Sequence, residues 1–468
     1  AIAVRDGAYD RAAAIADDRG ARMNPLLQGL TSGWAAVGAG DYDAALQAFD
    51  ALDQNETLAT YGQYHKALAL ALAGDFAAAA ALLDGEDGTP LHVNRAAMIA
   101  HIASLSQSDQ AERALDMAEL ALSDGLADRQ MVALRDTLSA GQPVAFDVVG
   151  SASEGAAMVF SVIGSALSRD DASRFSLIYA RLATLIWDGY DEARILAANV
   201  LYDQGQYDLA ITAFAEIEPA SPWHLSAEVG RAEAMQRAGR AEEAIEVLSS
   251  LSREVPGELS VLTGLGDIYR ANERFEDANG AYTRALDLIE TETRSHWVLY
   301  YYRGITRERS DQWDGAEADF RRALELNPDQ PLVLNYLGYS LVELRRNFEE
   351  AQAMIEKAVE QRPEDGYITD SLGWVRYRIG KYEEAVPHLE RAVELVPIDP
   401  IINDHLGDVF WKVGRKLEAE FQWRRALSFD PDPEEAERIR RKLDVGLDIV
   451  LEEEAADASV GATAQDDG

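Results

Sequence analysis

The chain has 468 residues, 82 of them acidic and 43 basic, so its formal net charge at pH 7 is −39. Much of this charge serves solubility, but it also repels nucleic-acid phosphates and anionic membranes and favours basic or neutral partners. The chain has no cysteine, which excludes disulfides, thiolate metal sites and cysteine nucleophiles. No uncharged apolar run approaches the roughly 20 residues of a membrane-spanning helix, and no signal peptide is visible.

Residues 1–138 show a repeated pattern of paired amphipathic helices. Three turns combine a glycine, a small or acidic residue, an aromatic residue and nearby alanines, and each separates two apolar-periodic stretches. These turns are Gly7-Ala8-Tyr9, Gly40-Asp41-Tyr42 and Gly74-Asp75-Phe76. We predict degenerate helix-pair repeats here. Because the first turn comes so early, part of the first leading helix is missing, and we expect the chain to be a truncated or processed piece.

Residues 139–152, with the sequence SAGQPVAFDVVGSA, interrupt the helical periodicity with glycine, proline and β-branched residues. Such a segment is typical of a linker or hinge, and we predict one here. Residues 153–433 then return to helix pairs, of which the first is atypical. The pairs become regular from residue 191 onward.

The clearest pairs are Gly366–Asp399 and Pro400–Pro433, which have equal length and share one pattern. The pattern residues are Leu372, Gly373, Tyr382, Ala385, Leu389, Ala392 and Pro397 in the first pair, and Leu406, Gly407, Gly414, Ala419, Trp423, Ala426 and Pro431 in the second. This period of about 34 residues resembles the tetratricopeptide repeat. The resemblance implies an all-α, right-handed superhelical solenoid of stacked helix–turn–helix repeats, with small residues where helices approach and large residues filling the core.

The pattern changes after Pro433. Apolar residues form one helical stripe in the segment 434–451, which predicts a C-terminal capping helix for the last repeat. The stripe is Ala436, Ile439, Leu443, Leu447 and Val450. The opposite face, which we expect to be solvated, carries Glu434, Glu437, Arg438, Arg441 and Lys442. The acidic, small-residue tail 452–468 is predicted to be disordered.

In the tetratricopeptide repeat, defined positions of each leading helix face a concave groove, and the resemblance implies that this groove binds protein. The groove residues of this chain are Tyr301, Asn335, Tyr339, Tyr367, Asp370, Trp374, Tyr377, Asp404, Asp408 and Trp411. An aromatic and acidic surface suits an extended or helical protein segment. The alternative is that some of these aromatics pack under an inserted loop or a neighbouring repeat. The same residues argue against a basic clamp for an acidic chain terminus.

Three strings carry a closer resemblance. They are NYLGYS (335–340), MIEKAVEQRPEDGYITDSLGWVRYRIGKYEEAV (354–386) and NDHLGDVFWKVGRKLEAEFQWRRAL (403–427). They look like a bacterial family of envelope tetratricopeptide proteins, which includes outer-membrane lipoproteins that act as adaptors of a periplasmic carboxyl-terminal processing protease. The resemblance implies a periplasmic scaffold that docks such a protease and presents or recruits its protein substrates, with a lipid anchor on the missing N-terminus. A tetratricopeptide assembly factor for envelope or polysaccharide biogenesis, without a protease, is the alternative.

The sequence offers no catalytic constellation. The histidines have no metal-ligand spacing with one another, and no serine or histidine lies in a recognisable nucleophile motif. Gly264-Leu265-Gly266 lies on a predicted helix rather than between a strand and a helix, so it is not a dinucleotide loop. We therefore predict a protein that is not an enzyme, holds no metal or cofactor, and binds proteins rather than nucleic acids.

Overall fold

The computed structural model describes residues 1–16, 23–85, 89–123, 129–168 and 173–466. Within these ranges the chain is helical and contains no strand, which confirms the all-α prediction. The chain divides into two compact units, Ala1–Ile268 and Tyr269–Gly468. Among the described helices, none is both long enough and apolar enough to cross a membrane.

The first unit consists of consecutive helices, most of which pack against the next helix in the chain, and it ends at Ile268, within the last of them. They are α1 (Ile2–Arg5), α2 (Tyr9–Ala16), α3 (Pro25–Ala39), α4 (Tyr42–Asp50), α5 (Glu56–Leu72), α6 (Phe76–Leu83), α7 (Arg95–Gln107), α8 (Ala111–Ser123), α9 (Arg129–Ser139), α10 (Ala152–Ser168), α11 (Ser173–Ile186), α12 (Asp191–Asp203), α13 (Tyr207–Ala215), α14 (His224–Arg237), α15 (Ala241–Glu254) and α16 (Leu259–Ala271). A short 3-10 helix, Ala51–Gln54, follows α4.

The segment 139–152, predicted to be a linker or hinge, is irregular but packed. Val144 and Val149 are buried, the Val144 N–H donates to Ser106 Oγ at 2.9 Å, and Gln107 Nε2 donates to the Val144 carbonyl oxygen at 2.6 Å. Helix α10, which follows this segment, packs against α3 and α5. The expected hinge is therefore a packed connection inside the first unit, because its valines are drawn into the apolar core.

The second unit continues the pairs. Its helices are α17 (Phe275–Asp287), α18 (Trp297–Glu308), α19 (Trp313–Leu326), α20 (Pro331–Glu343), α21 (Phe348–Gln361), α22 (Gly366–Arg378), α23 (Tyr382–Leu395), α24 (Pro400–Lys412), α25 (Lys416–Leu427), α26 (Pro433–Val445) and α27 (Leu447–Asp466). A 3-10 turn, Arg294–His296, precedes α18. The helices of the pairs α18–α19, α20–α21, α22–α23 and α24–α25 pack closely on one another. We call the members of each pair the first and second helix of their repeat.

The turn between the two helices of a repeat needs a residue with positive φ. In the repeats that begin at Gly366 and Pro400 this residue is a glycine, Gly380 or Gly414, with φ of 81° and 84°, a region that costs an L-residue energy but glycine little. The repeat that begins at Pro331 carries an extra residue in its turn. It uses Arg345 and Asn347 at φ of 55° and 45°, so the insertion is absorbed in the turn while both helices keep their places.

The pattern residues form the core, as predicted. Phe320, Leu389 and Trp423 are fully buried. A Cβ atom added to Gly407 would lie 2.5 Å from the Trp423 ring, so glycine is needed where this large residue reaches the facing helix. The small pattern residues with no exposed surface are Ala385, Ala392, Ala419 and Ala426.

The C-terminal segment differs from the prediction of one capping helix over 434–451. The structure has two helices, α26 and α27, separated at Gly446, whose φ is 87°. A Cβ atom at Gly446 would lie 2.5 Å from the Trp411 ring, so both the backbone angle and the close contact require glycine. We call α26 and α27 together the C-terminal cap.

The tail that we predicted to be disordered from residue 452 is helical through Asp466, and residues 467–468 lie outside the described part of the chain. Ion pairs across the two cap helices favour the helical state here. Arg441 pairs with Glu453 at 2.6 Å, and Arg438 pairs with Glu454 at 2.6 Å. The prediction of disorder rested on the acidic, small-residue composition of the tail, which does not show these pairs.

Candidate functional site

The ten predicted groove residues lie on the first helices α18, α20, α22 and α24 of four consecutive repeats. They fall into two groups by exposure. The half-buried or exposed group is Tyr301, Asn335, Tyr339, Tyr367 and Trp411. The buried group is Asp370, Trp374, Tyr377, Asp404 and Asp408. Their role in binding a partner remains a prediction, but the two groups have different surroundings.

An aromatic stack crosses the repeats at α22 and α24. The Trp374 ring stacks on Tyr377, with centroids 4.7 Å apart, and on His405, with centroids 3.8 Å apart. Trp374 Nε1 donates to Glu343 Oε1 at 2.6 Å, so the indole is held from α20 as well. Trp374 therefore packs against a neighbouring repeat, which is the alternative that the sequence left open for some of the groove aromatics.

The His405 imidazole lies beside carboxylates. Its Nδ1 is 2.9 Å from Asp370 Oδ2, and both side chains are buried. Burial disfavours the imidazolium, but Asp370, together with Asp404 and Asp408, outweighs burial and raises the pKa of His405 above its ordinary value of 6.5. The raised pKa favours the charged form of His405, which pairs with Asp370 inside the stack.

Asp370, Asp404 and Asp408 converge at one end of the groove, which we call the acidic end. A lysine from the cap enters it: Lys442 Nζ lies 2.6 Å from Asp404 Oδ2 and 2.6 Å from Asp408 Oδ1. The Lys442 side chain is fully buried. Asp408 Oδ1 also accepts a hydrogen bond from Trp423 Nε1 at 2.9 Å, which links the acidic end to the core.

Burial, and then repulsion by Asp408, raises the pKa of Asp404, while Lys442 acts in the opposite direction. The carboxylate pair therefore depends on the buried ammonium group for its charge balance. Arg438 adds a second cation at longer range, 3.6 Å from Asp404 and 3.7 Å from Asp408. We had placed Arg438 and Lys442 on a solvated face; that prediction is wrong for Lys442, because its ammonium group is held by these two aspartates.

The cap also covers Trp411. Trp411 Nε1 donates to Asp448 Oδ2 at 2.9 Å, and Lys412 Nζ donates to Asp448 Oδ1 at 2.6 Å. These contacts attach the start of α27 to the end of α24. Trp411 is consequently a contact for the chain's own cap in this structure.

Apart from the exposed Tyr367 on α22, the remaining groove surface lies on α18 and α20, and we call Tyr301, Leu332, Asn335 and Tyr339 the open groove. Leu332 exposes 37% of its surface, and Tyr301 contacts the edge of Tyr336 with ring centroids 5.9 Å apart. Burial, followed by the Tyr302 hydroxyl, raises the pKa of Tyr301 to about 12, so it stays neutral. Asn335 Oδ1 is buried and accepts no hydrogen bond from any described residue.

Sequence reasoning missed His405 and Lys442 as parts of this site. His405 stood one position after Asp404 and was treated as structural. Lys442 stands three residues after Ile439, a spacing that places the two side chains on neighbouring parts of one helix face. The spacing could have indicated that Lys442 lies on the buried face of the helix. The aspartates that pair with Lys442, however, lie more than thirty positions earlier in the chain.

The His405–Asp370 pair predicts a pH dependence of stability. A raised pKa in the folded state means that charged His405 stabilises the fold, and this contribution is complete below pH 6.5 and lost as pH rises through the folded-state pKa. We expect the free energy of unfolding of the native chain, measured relative to His405→Gln, to fall as pH rises above about 6.5. Urea unfolding of both proteins between about pH 5.5 and 8.5 measures this difference. A difference that is flat or grows with pH would contradict the pairing.

The helix pairs, the turn geometry and the groove define a helical-repeat solenoid of the kind that binds proteins. Models of the tetratricopeptide repeat match residues 30–90, 201–266, 261–294, 297–330, 337–400 and 371–436. Together these matches cover more than half of the chain. The chain is therefore a tetratricopeptide repeat protein, and proteins of this type are generally non-catalytic scaffolds for protein interactions.

Curated relatives match over limited stretches. The TPR repeat-containing protein PA4667 of Pseudomonas aeruginosa is 28% identical over 192 residues, which cover 41% of this chain and 32% of that protein. The human protein O-mannosyl-transferase TMTC1 is 23% identical over 171 residues, which cover 36% of this chain and 19% of that protein. The chain thus spans a third or less of the length of these relatives.

Solved structures with the same repeat architecture are also similar. A tetratricopeptide repeat protein from Parabacteroides merdae is 20% identical, with 56% of this chain and 99% of that chain covered and a TM-score of 0.44. Yeast Tom70 is 14% identical, with 94% of this chain and 99% of that chain covered and a TM-score of 0.42.

Among the described residues, no group of three or more His, Asp or Glu side chains is arranged to hold a metal ion.

Proposed function

We propose that this chain is a non-catalytic adaptor of the bacterial cell envelope, which docks a periplasmic carboxyl-terminal processing protease and presents or recruits its protein substrates. The resemblance of the strings at 335–340, 354–386 and 403–427 to envelope adaptors supports the choice of partner. The observation that carries the binding role is the open groove, which keeps an accessible face on two consecutive repeats while the acidic end is covered.

The open groove has the chemistry of a protein-binding surface. Its two tyrosines are rigid amphipathic side chains that supply contact area at little cost in conformational entropy. Asn335 Oδ1 accepts no hydrogen bond from the described residues, and a buried acceptor without a donor costs roughly 1–3 kcal/mol. If the half-buried Asn335 side chain turns its amide toward the groove, a partner backbone N–H could pair with this oxygen and remove this cost. We infer that Asn335 fixes the register of a bound segment.

The proposed location is the periplasm, at the outer membrane if a lipid anchors the N-terminus. A net charge of −39 would disfavour close approach of the helices to an anionic membrane surface and favour contact with neutral or basic protein segments. These two consequences of the negative charge suit an adaptor that extends away from its membrane anchor toward a protein partner.

The test is affinity capture from envelope extract with the tagged chain, followed by mass spectrometry of the bound proteins. We expect the native chain to retain a carboxyl-terminal processing protease. The double variant Leu332→Ala with Asn335→Ala should retain it about tenfold less or worse, because it removes exposed contact area and the proposed register contact. Helicity should be unchanged, since alanine favours helix.

Phe421→Ala is the matched control. Phe421 exposes 62% of its surface. It lies on α25, which is the second helix of its repeat and is not part of the open groove, so removal of its ring should leave capture unchanged. Equal loss in the control and the double variant would contradict the groove assignment. Recovery of only polysaccharide or outer-membrane assembly proteins, with no protease, would favour the assembly-factor alternative.

A further inference from the structure

The cap occupies the acidic end of the groove much as a ligand would. Helix α26 brings Arg438 and Lys442, one helical turn apart, against Asp404 and Asp408. Lys442 is fully buried between the two carboxylates, with both N–O distances at 2.6 Å. A lysine is almost never fully buried unless it is paired, so this contact is specific rather than a surface ion pair.

Apolar packing holds α26 through few side chains, chiefly Ile439 with Leu443 packed beside it. Of its thirteen residues, Ala436, Ile439 and Lys442 are buried. By contrast, nine consecutive residues of α24, Ile402–Phe410, are buried. A helix with few buried apolar residues contributes little to the core and belongs to the part of a fold that opens most readily. The charged contacts therefore carry a large share of the attachment of α26.

The acidic end has carboxylate oxygens to which the cap donates no hydrogen bond. Asp404 Oδ1 and Asp408 Oδ2 are buried, and neither accepts a hydrogen bond from any residue that the structure describes. Arg438 approaches both aspartates but stays at 3.6 and 3.7 Å, beyond good hydrogen-bond distance. A guanidinium or ammonium group placed closer would satisfy oxygens that α26 leaves unpaired.

The connection to the cap leaves α26 separate from the helix before it. The chain leaves α25 at Leu427 and enters α26 at Pro433. Between them Asp430 has a φ of 55°, and Pro431 and Pro433 prevent a continuous helix. Helix α26 is therefore attached to the repeats by a short non-helical segment and by its own contacts.

We propose that the acidic end is a binding site for a helix of a protein partner that carries two basic side chains one turn apart, and that α26 fills this site in the free chain until the partner displaces it. The spacing follows from Arg438 and Lys442, and the charge follows from Asp370, Asp404 and Asp408. The site is next to the open groove, and the inference holds whether or not the partner is a protease. An internal competitor reduces the apparent affinity for the partner to the intrinsic affinity multiplied by the fraction of chains in which the cap is undocked.

The test uses the full chain and a fluorescent peptide with the cap sequence 431–451 as the probe. The peptide is titrated against the native chain and against Lys442→Met, which removes the internal ammonium group but keeps an unbranched side chain. We expect the peptide to bind Lys442→Met at least about tenfold more tightly than the native chain, because the cap of this variant competes poorly. Adding Asp404→Asn and Asp408→Asn to Lys442→Met should abolish this gain.

Two controls separate site binding from general loosening. The first control is a cap peptide with Met in place of Lys442, which should not bind the full-chain variant Lys442→Met. The second control is the full-chain variant Arg441→Met, which should bind the native peptide as weakly as the native chain does, because Arg441 pairs only at the surface. Equal binding of the peptide to the native chain and Lys442→Met, or binding to neither, would overturn the proposal. Exchange of the cap between two copies of the chain would be seen as a dimer by light scattering. It would show that the site binds the cap of a second copy, and it would overturn the proposal of a different protein partner.

Discussion

Lys442→Met is expected to lower the free energy that holds the cap on the groove by about 3–5 kcal/mol, because it leaves buried carboxylates without their partner. Asp404 and Asp408 share Lys442 Nζ at 2.6 Å each, and methionine offers no positive charge. Native-state hydrogen exchange of the α26 amides measures this loss directly. We expect α26 to exchange faster while α20 and α22 remain protected.

Arg441→Met is the matched control for this change. It removes the neighbouring basic residue, which forms exposed pairs with Asp444 at 3.1 Å and Glu453 at 2.6 Å. Exposed pairs contribute little to stability, so exchange of α26 should stay close to that of the native chain. If both variants accelerate exchange equally, the buried position of Lys442 has no special role and our account of the acidic end is wrong.

Trp423→Ala is expected to lower the free energy of unfolding of the second unit by about 3–5 kcal/mol. Trp423 is fully buried, packs against Gly407 on the facing helix, and donates from Nε1 to Asp408 Oδ1 at 2.9 Å. Its removal would leave a cavity and would also take a donor from a buried carboxylate. Urea unfolding followed by circular dichroism gives the magnitude.

The control for Trp423→Ala lies on the same helix. Phe421→Ala removes an aromatic ring of which 62% of the surface is exposed, and exposed substitutions usually change stability by less than about 0.5 kcal/mol. Trp423→Phe should fall between the two, because it restores most of the volume but not the indole N–H. A loss for Trp423→Ala no larger than that for Phe421→Ala would contradict the assignment of Trp423 to the core.

Local patterns predicted the repeats well. The turn glycine Gly414, the close contact at Gly407 and the buried alanines all follow from residues within one repeat, and a repeat's contacts are mostly with itself and its neighbours. For this reason a single period read from the sequence predicts many contacts. The positive φ of Arg345 and Asn347, which accommodates the extra residue of the repeat that begins at Pro331, does not follow from the period.

The cap was harder to predict because its contacts are not repeated. The apolar stripe of α26 indicated a helix, but Lys442 is buried by aspartates that belong to an earlier repeat. The break at Gly446 depends on the Trp411 ring, which no pattern within 434–451 reveals. Burial of a charged group depends on a specific partner rather than on periodicity, so such contacts need the three-dimensional fold.

The groove prediction contained two kinds of residue that sequence position alone could not separate. Tyr301, Asn335 and Tyr339 keep partly accessible side chains, whereas Trp374 and Asp408 are covered by a neighbouring repeat and by the cap. Tyr339, Trp374 and Asp408 all occupy the ninth place of their repeats. Asp408 is covered because the cap follows only the last repeat, whereas Trp374 is covered by His405 of the next repeat.

The most direct test of the proposed adaptor function is calorimetric titration of the purified chain with a purified carboxyl-terminal processing protease from the organism that encodes the chain. We predict a saturable complex with a dissociation constant of about 1 μM or lower, weakened by Leu332→Ala with Asn335→Ala and unchanged by Phe421→Ala. Absence of heat and of complex formation with an active, folded protease would contradict the account and leave the envelope assembly role as the better explanation.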